Sequence, residues 1–154
     1  MIPGIIIFKI SELEFCINVK DVNVIKRLED PEELKKSISN DLSYLTVCNI
    51  NIPIVDISKF FNITVKNKDG NKIILIIRHN SEEDNIEKTY GILVDNVKEI
   101  INMNRHDDGY LLKFFPSKDN PFLSGAILWG DRKILLPNFS KITGELFKKE
   151  NKVQ

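Results

Sequence analysis

The stretch FLSGAILWGDRKILL, residues 122–136, indicates the fold more directly than any other part of the chain. Two runs rich in Ile and Leu flank Gly130–Asp131, and a two-residue loop that begins with glycine is typical of a type II′ β-hairpin. The stretch therefore predicts an antiparallel pair of strands, Phe122–Trp129 and Arg132–Leu136.

Short apolar segments of the same kind run through the rest of the chain. The 154 residues include 24 isoleucines and a single alanine, a composition that favours strands over helices. Many short strands separated by turn residues predict a mainly β fold. The other predicted strands are Gly4–Ile10, Leu13–Val19 (half-buried, from its alternating pattern), Tyr44–Ile50, Asn51–Val55, Lys72–Arg78 (buried on both faces), Tyr90–Asp95 and Val97–Met103.

Helical segments are few and short. Asp30, followed by proline, predicts the start of a short helix that ends near Ser37. Asp56 is expected to cap a single turn at Ser58–Phe61. Asn138 is expected to cap a C-terminal helix, because apolar residues recur after it at helical spacing, namely Phe139, Ile142, Leu146 and Phe147.

The charge balance excludes several classes of partner. Lys and Arg number 22 together, as do Asp and Glu, so no net field would recruit nucleic acid or an anionic membrane. The apolar runs, such as Ile73–Ile77, are far shorter than the roughly 20 residues of a membrane span, so direct membrane insertion is not expected. With no signal-peptide pattern and no disulfide framework, a cytoplasmic location is expected.

No catalytic residue, metal ligand or cofactor site is predicted. Cys16 and Cys48 lack a Cys-x-x-Cys partner, which disfavours zinc. A nucleophilic Cys48 would need His79 or His106 within reach as a base, and both histidines are expected at the surface. The glycines form neither of the common phosphate-binding patterns.

Asp95 follows the apolar segment that ends at Val94, and two interpretations of it remain open. Its carboxylate could accept a hydrogen bond from a donor in a turn, or it could face a binding partner. The structural role is favoured, because aspartate side chains commonly bond to nearby backbone groups.

Three stretches together point to a known family. Residues 44–57 read YLTVCNINIPIVDI, two strands that end in hydrophobic-Pro-hydrophobic-hydrophobic-Asp-hydrophobic. Residues 90–97 read YGILVDNV, and residues 122–136 combine a Gly-containing strand, a Gly-Asp turn and a return strand. In this order, followed by a C-terminal helix, they resemble the CheW family of chemotaxis coupling proteins over about residues 4–147.

The resemblance implies two five-stranded, SH3-like β-barrels that share a hydrophobic core, with a few short helices and a C-terminal helix. A single CheW-like domain is expected over residues 1–154. One subdomain is expected to comprise residues 1–65 and the C-terminal helix 138–148, and the other residues 70–137.

The resemblance also implies a non-catalytic adaptor. Members of the family dock on the regulatory domain of the histidine kinase CheA. They also bind the cytoplasmic tip of methyl-accepting chemoreceptors, in a groove between the two barrels. These two proteins are therefore the expected partners, and recruitment to membrane-associated receptor arrays is expected with them.

The chain departs from the family pattern at the expected receptor contact. The family usually has Arg-Gly where Cys48–Asn49 stands, a Glu where Val24 stands and a Gly where Ser43 stands. A thiol cannot replace the five donors of an arginine, so a divergent member is expected. The predicted receptor site comprises Val22, Val24, Ile25, Cys48 and Asn49, although the three aliphatic residues could instead belong to the core.

The kinase contact is predicted at the hairpin of residues 122–136. A glycine inside a strand marks the close approach of another backbone, which places Gly125 at the docking surface together with Gly130 and Asp131. Trp129 joins them, because aromatic residues dominate interface hot spots. The alternative for Trp129 is that it covers the open end of the barrel.

Two other classes of function remain open. The missing Arg-Gly leaves room for an SH3-like interaction module that binds a different kinase or peptide outside chemotaxis. A small enzyme has the least support, because the sequence offers no nucleophile–base pair, metal constellation or phosphate loop.

Overall fold

The computed structural model describes residues 4–29, 34–36, 43–63, 72–102 and 113–148. Within them lie twelve strands, two short 3-10 segments at Val19–Asp21 and Ile57–Phe61, and one helix, α1, at Phe139–Leu146. The strands are β1 Gly4–Ile10, β2 Leu13–Asn18, β3 Val22–Leu28, β4 Lys35–Lys36, β5 Ser43–Val47, β6 Ile50–Val55, β7 Lys72–Asn80, β8 Glu87–Val94, β9 Asn96–Asn102, β10 Lys113–Pro116, β11 Leu123–Trp129 and β12 Arg132–Pro137.

The strands form two six-stranded sheets. The first sheet has the order β10-β11-β12-β2-β1-β9, and the second sheet has the order β3-β7-β8-β6-β5-β4. A mainly β fold with two subdomains and a C-terminal helix is therefore confirmed. Each sheet has six described strands rather than five, and β3, β4 and β10 are the three that the sequence pattern did not predict.

The two sheets divide the chain differently from the predicted subdomains 1–65 and 70–137. The N-terminal strands β1 and β2 belong to the first sheet, where β1 pairs with β9 and β2 runs parallel to β12 through Phe15 and Leu135. The second sheet takes β7 and β8 from the later half. An alternating pattern predicts that a segment is a strand, but it does not specify which strand is its neighbour.

Apolar side chains fill three clusters. The shared core lies between the sheets and receives side chains from β1, β2, β6, β7, β8 and α1. Each sheet also has a smaller cluster of its own. The first-sheet cluster consists of Ile5, Ile7, Cys16, Ile127 and Ile134. The second-sheet cluster consists of Leu28, Leu45, Ile52, Ile54, Ile74 and Ile76. The shared core contains Ile6, Phe8, Ile10, Phe15, Ile17, Val55, Ile57, Leu75, Ile77, Tyr90, Ile92, Val94, Phe139 and Ile142.

Strand β2 is buried on both faces at its centre, so the prediction of a half-buried strand was wrong there. Phe15 and Ile17 point into the shared core, whereas Cys16 points into the first-sheet cluster. The polar pattern around Cys16 suggested a solvated face, but a cysteine packs as readily as a small apolar residue.

Asp95 connects parts of the chain that are far apart in sequence. Its Oδ2 accepts a hydrogen bond of 2.6 Å from the backbone N of Ser11, and its Oδ1 accepts one from Lys72 Nζ. Its own N–H donates to Lys9 O over 2.9 Å. Since Ser11 joins β1 to β2 and Lys72 begins β7, the carboxylate ties the two sheets together, and the structural interpretation is confirmed.

The two predicted caps are both present. Asp56 Oδ1 accepts from the backbone N of Ser58 at 3.0 Å, and Asn138 Oδ1 accepts from that of Lys141 at 3.2 Å. The short helix predicted from Asp30 to Ser37 was wrong at Lys35–Lys36, which form strand β4. Residues 30–33 and Ser37 lie outside the described residues.

Candidate protein-binding surfaces

Strand β3 presents two aliphatic side chains to solvent at the edge of the second sheet. Its pairing with β7 shifts between Val22 and Val24, so Asn23 is an extra residue. Val22 packs against the shared core, whereas Val24 and Ile25 are 45% and 44% exposed. Because consecutive side chains of a strand point to opposite faces, β3 exposes one aliphatic side chain on each face, and an edge strand of this kind can be covered by another chain.

Cys48 and Asn49 form the turn between β5 and β6 rather than part of a strand. Val47 pairs with Ile50 across them, and their φ angles are 50° and 65°. Positive φ at both central residues is the signature of a type I′ turn. The prediction that Cys48 lies within the strand Tyr44–Ile50 was therefore wrong, because the pair lacks the Asn-Gly sequence that usually signals such a turn.

The five residues of the predicted receptor site lie on the second sheet in two groups. Val24 and Ile25 lie on the edge strand β3, and both Cys48 and Asn49 are exposed at the hairpin tip. In the strand order, β7 and β8 lie between β3 and β6. Assembly of the two groups into one binding surface remains a prediction, and Val22 belongs to the core side of β3.

The β11–β12 hairpin of the first sheet ends in the expected turn. Trp129 pairs with Arg132 across Gly130–Asp131, and of the two turn residues only Gly130 has a positive φ, at 63°. This is the arrangement that a type II′ turn requires. Gly130 and Asp131 are exposed, whereas Trp129 is partly buried against the first-sheet cluster.

Arg132 makes charged hydrogen bonds to two other strands. Its Nε and Nη2 donate to Glu14 Oε2 and Oε1 at 3.1 and 2.9 Å, and its Nη1 donates to Glu99 Oε1 at 2.5 Å. The guanidinium carbon lies 5.0 Å from the centre of the Trp129 ring. Hydrogen bonding to Glu14, with a smaller contribution from Glu99, raises the pKa of Arg132.

Gly125 is required by a contact inside the protein, which removes the reason for assigning it to a docking surface. A Cβ at this position would collide with the carbonyl oxygen of Phe115, and it would lie 2.6 Å from Cε2 of Phe114. Both residues belong to β10, the edge strand beside β11. Gly125 also lies four residues before Trp129, so the structure separates it from the exposed turn.

Cys16 and His79 lie in different surroundings. Cys16 is buried, and burial raises the pKa of its thiol to about 12. His79 Nε2 lies 3.8 Å from Asp21 Oδ2, and its Nδ1 lies 3.2 Å from the carbonyl oxygen of Asn80. No group of three potential metal ligands occurs among the described residues, and His106 lies outside them.

Sequence reasoning missed two features of these surfaces. Phe114 and Phe115 are 54% and 50% exposed on the edge strand β10, a segment too short to show alternation. The bridge from Arg132 to Glu14 and Glu99 was also missed, because its residues come from three separate strands. The pairing of Arg132 with Trp129 could have been predicted from the two-residue turn alone.

These features define a class of protein: a β-rich interaction module with apolar side chains exposed on edge strands and at hairpin tips. Residues 4–146 match the CheW-like domain family. This chain belongs to that family, a family of chemotaxis scaffold and adaptor proteins, and the resemblance inferred from the sequence is confirmed.

One solved structure illustrates the shared fold. The scaffolding protein TtCheW from Thermoanaerobacter tengcongensis superposes with a TM-score of 0.61 at 21% identity, over 90% of each chain. At this identity the similarity establishes the fold. No curated protein matched the chain. In the described part of the chain, no helix has both the length and the apolar character needed to cross a membrane.

Proposed function

We propose that this protein is a non-catalytic cytoplasmic scaffold that couples the cytoplasmic tips of chemoreceptors to the histidine kinase CheA. The observation that carries the proposal is the family match over residues 4–146. Two solvent-exposed surfaces on different sheets support it, because a coupling protein must hold two partners at once. One is the turn Trp129–Asp131 of the first sheet, and the other is β3 with the β5–β6 turn of the second.

The turn of the β11–β12 hairpin is the proposed kinase contact. The residues 122–136 follow the family pattern, and Trp129 offers a partly exposed aromatic side chain beside the exposed Gly130–Asp131. An aromatic anchor surrounded by polar groups is the usual composition of an interface hot spot. Gly125 is not proposed as a kinase contact, and its role is to let β10 lie close to β11.

The receptor contact is proposed at Val24, Ile25, Cys48 and Asn49, an uncharged version of the family's site. Compared with the family pattern, Val24 replaces a carboxylate and Cys48 replaces a guanidinium. Losing one charge alone would leave the other unpaired in a partly desolvated groove, which is costly, whereas losing both is close to neutral. Binding is then expected to come from apolar burial and to depend weakly on salt.

Calorimetric titration tests the receptor contact. A chemoreceptor tip fragment is titrated into the wild-type chain from low to high salt, and then into Val24→Glu. We expect a nearly constant affinity across the salt range and weaker binding by the variant, because its new carboxylate has no partner. A steep loss of affinity with salt, or tighter binding by Val24→Glu, contradicts an uncharged contact.

The second candidate is an interaction module that serves a different kinase or peptide. The observation that favours it is the turn Cys48–Asn49, which lacks the arginine of the family pattern. Titration with the CheA regulatory domain separates the two functions. Saturable binding supports the scaffold, and binding of neither that domain nor a receptor tip supports the module.

A further inference from the structure

The first sheet is bridged at one end by a single side chain. Arg132 begins β12, Glu14 lies on the neighbouring β2, and Glu99 lies on β9 at the far edge of the sheet. In the strand order, β2 and β1 separate β12 from β9, so one guanidinium reaches both carboxylates only because the sheet curls on itself. The two hydrogen bonds to Glu14 and the one to Glu99 fix the plane of the guanidinium.

The fixed guanidinium in turn restrains the indole of Trp129. The two residues are directly opposite each other across the turn, and the guanidinium carbon lies 5.0 Å from the ring centre, within the range of a cation–π contact. The ring also packs against the first-sheet cluster. Trp129 is thus held between an apolar cluster and a cation that three strands keep in place.

We propose that Arg132 is a positioning residue of the kinase contact, which holds Trp129 and the adjoining turn in the orientation that the CheA regulatory domain binds. This inference rests on the proposed function. Its physical basis is preorganisation, because a side chain already fixed before binding loses less conformational entropy when the partner docks. Arginine is required rather than any cation, because a lysine cannot bond bidentately to Glu14, reach Glu99 and stack on an indole at once.

The chain contains one tryptophan, so its fluorescence reports on Trp129 alone. Wild type is compared with Arg132→Met and Arg132→Lys by acrylamide quenching and fluorescence anisotropy. The matched control is Arg78→Met, which removes an exposed arginine from the second sheet, where Arg78 lies 3.9 Å from Glu87. We expect faster quenching and lower anisotropy in Arg132→Met, a smaller change in Arg132→Lys, and none in the control.

The same proteins are titrated with the CheA regulatory domain and with a receptor tip fragment. We expect Arg132→Met to weaken binding of the kinase domain about tenfold, a loss typical of a disrupted hot spot, and to leave receptor binding unchanged. If Arg132→Met does not fold, Glu99→Gln supplies the test, because it removes the charge of one of the two anchors and keeps the bidentate pair with Glu14.

The outcomes separate the inference from the proposed function. If wild type binds the kinase domain and Arg132→Met binds equally well, the positioning role is wrong and the scaffold stands. If the quenching of Trp129 is unchanged in both Arg132→Met and Glu99→Gln, the positioning role is also wrong. If wild type itself fails to bind the kinase domain, the proposed function is wrong, and the inference falls with it.

Discussion

At the tip of the β5–β6 hairpin, two residues other than glycine hold left-handed backbone conformations. Asn49, with φ 65°, is of the type that tolerates this region, whereas Cys48, with φ 50°, is not. For most side chains the left-handed region costs about 1–2 kcal/mol. The sequence Cys-Asn is therefore strained for a type I′ turn, and selection for stability alone would have placed another residue at position 48.

Replacing Cys48 by asparagine is expected to stabilise the protein. Asparagine is preferred at the first central position of a type I′ turn, so Cys48→Asn should raise the free energy of unfolding by about 0.5–1 kcal/mol. Urea denaturation followed by the fluorescence of Trp129 measures it. The matched variant Cys48→Val, β-branched and less tolerant of positive φ, should be less stable than wild type, and the opposite order of the two variants contradicts the assignment of the turn.

The two thiols are expected to differ sharply in reactivity. Cys48 is exposed, whereas Cys16 is buried in the first-sheet cluster, and the thiolate is the form that reacts with disulfide reagents. A colorimetric thiol titration of the folded protein should therefore detect one fast-reacting thiol, and the second only after denaturation. Cys48→Ser should abolish the fast phase, and Cys16→Ala should leave it intact. Two fast thiols in the folded wild type would show that Cys16 is accessible.

Burial of Cys16 also predicts that stability falls in alkali. Its pKa is raised from 9.0 to about 12 in the folded state, so between these values the unfolded chain loses a proton that the native chain keeps. Unfolding is then favoured as the pH rises, by up to about 1.4 kcal/mol per pH unit for one such group.

Burial likewise raises the pKa of Tyr90, which adds to the same trend above pH 10. The measurement is the free energy of unfolding of wild type and Cys16→Ala from pH 8 to pH 11. The decline should be shallower in Cys16→Ala than in wild type. Equal slopes in wild type and Cys16→Ala would contradict the assigned burial.

At the scale of elements, the edge strand β10 depends on the absence of a side chain in β11. The ring of Phe114 and the carbonyl of Phe115 occupy the space that a Cβ of Gly125 would need. Pro116, opposite Gly125, has no N–H to offer to another strand, a feature that protects sheet edges from further pairing. Gly125 and Pro116 thus explain how β10 can be both the edge of the sheet and closely packed.

Gly125→Ala should accordingly displace β10 from the sheet. The expected loss is about 1–3 kcal/mol of unfolding free energy, as for other overpacked sites. Hydrogen exchange should show the loss of protection first at the amides of residues 113–115 in β10. The neighbouring variant Ser124→Ala serves as the control and should change stability by no more than about 0.5 kcal/mol. Unchanged protection of β10 in Gly125→Ala would mean that the close contact does not hold this strand.

Elements with a local signal could be predicted, and those without one could not. The Gly130–Asp131 turn and the caps Asp56 and Asn138 depend on a few adjacent residues, and each was predicted correctly. The turn at Cys48–Asn49 and the edge strand β10 lack such signals. The pair Cys48–Asn49 is not the Asn-Gly sequence that usually signals a type I′ turn, and β10 has only four residues, too few to show an alternating pattern.

At the scale of the whole molecule, the chain begins in the first sheet, forms the second sheet and then returns to the first. The N-terminal hairpin β1–β2 belongs to the first sheet although β3–β8, which follow it, form the second. Asp95 lies where the chain returns from β8 to β9, and its bonds to Ser11 and Lys72 join the two sheets. These bonds hold the two sheets against each other, which suits the proposed role of a protein that binds two partners.

The candidate surfaces were foreseeable only in part. Trp129, Gly130 and Asp131 are consecutive residues, so the predicted hairpin already placed them together at one turn. Val24 and Ile25 are exposed on β3, which lies at the edge of the second sheet, a position that the local pattern does not specify, and the role of Gly125 depends on the unpredicted strand β10. The bridge of Glu14, Arg132 and Glu99 requires the curl of the whole sheet, which no local pattern specifies.

Co-assembly tests most directly whether this chain couples a chemoreceptor to a kinase. A receptor tip fragment is immobilised, the CheA regulatory domain is added with and without this protein, and retained kinase domain is quantified. We predict retention that requires the protein and is lost both in Val24→Glu and in Trp129→Ala. Equal retention with and without the protein, or binding of one partner that excludes the other, would contradict a coupling role.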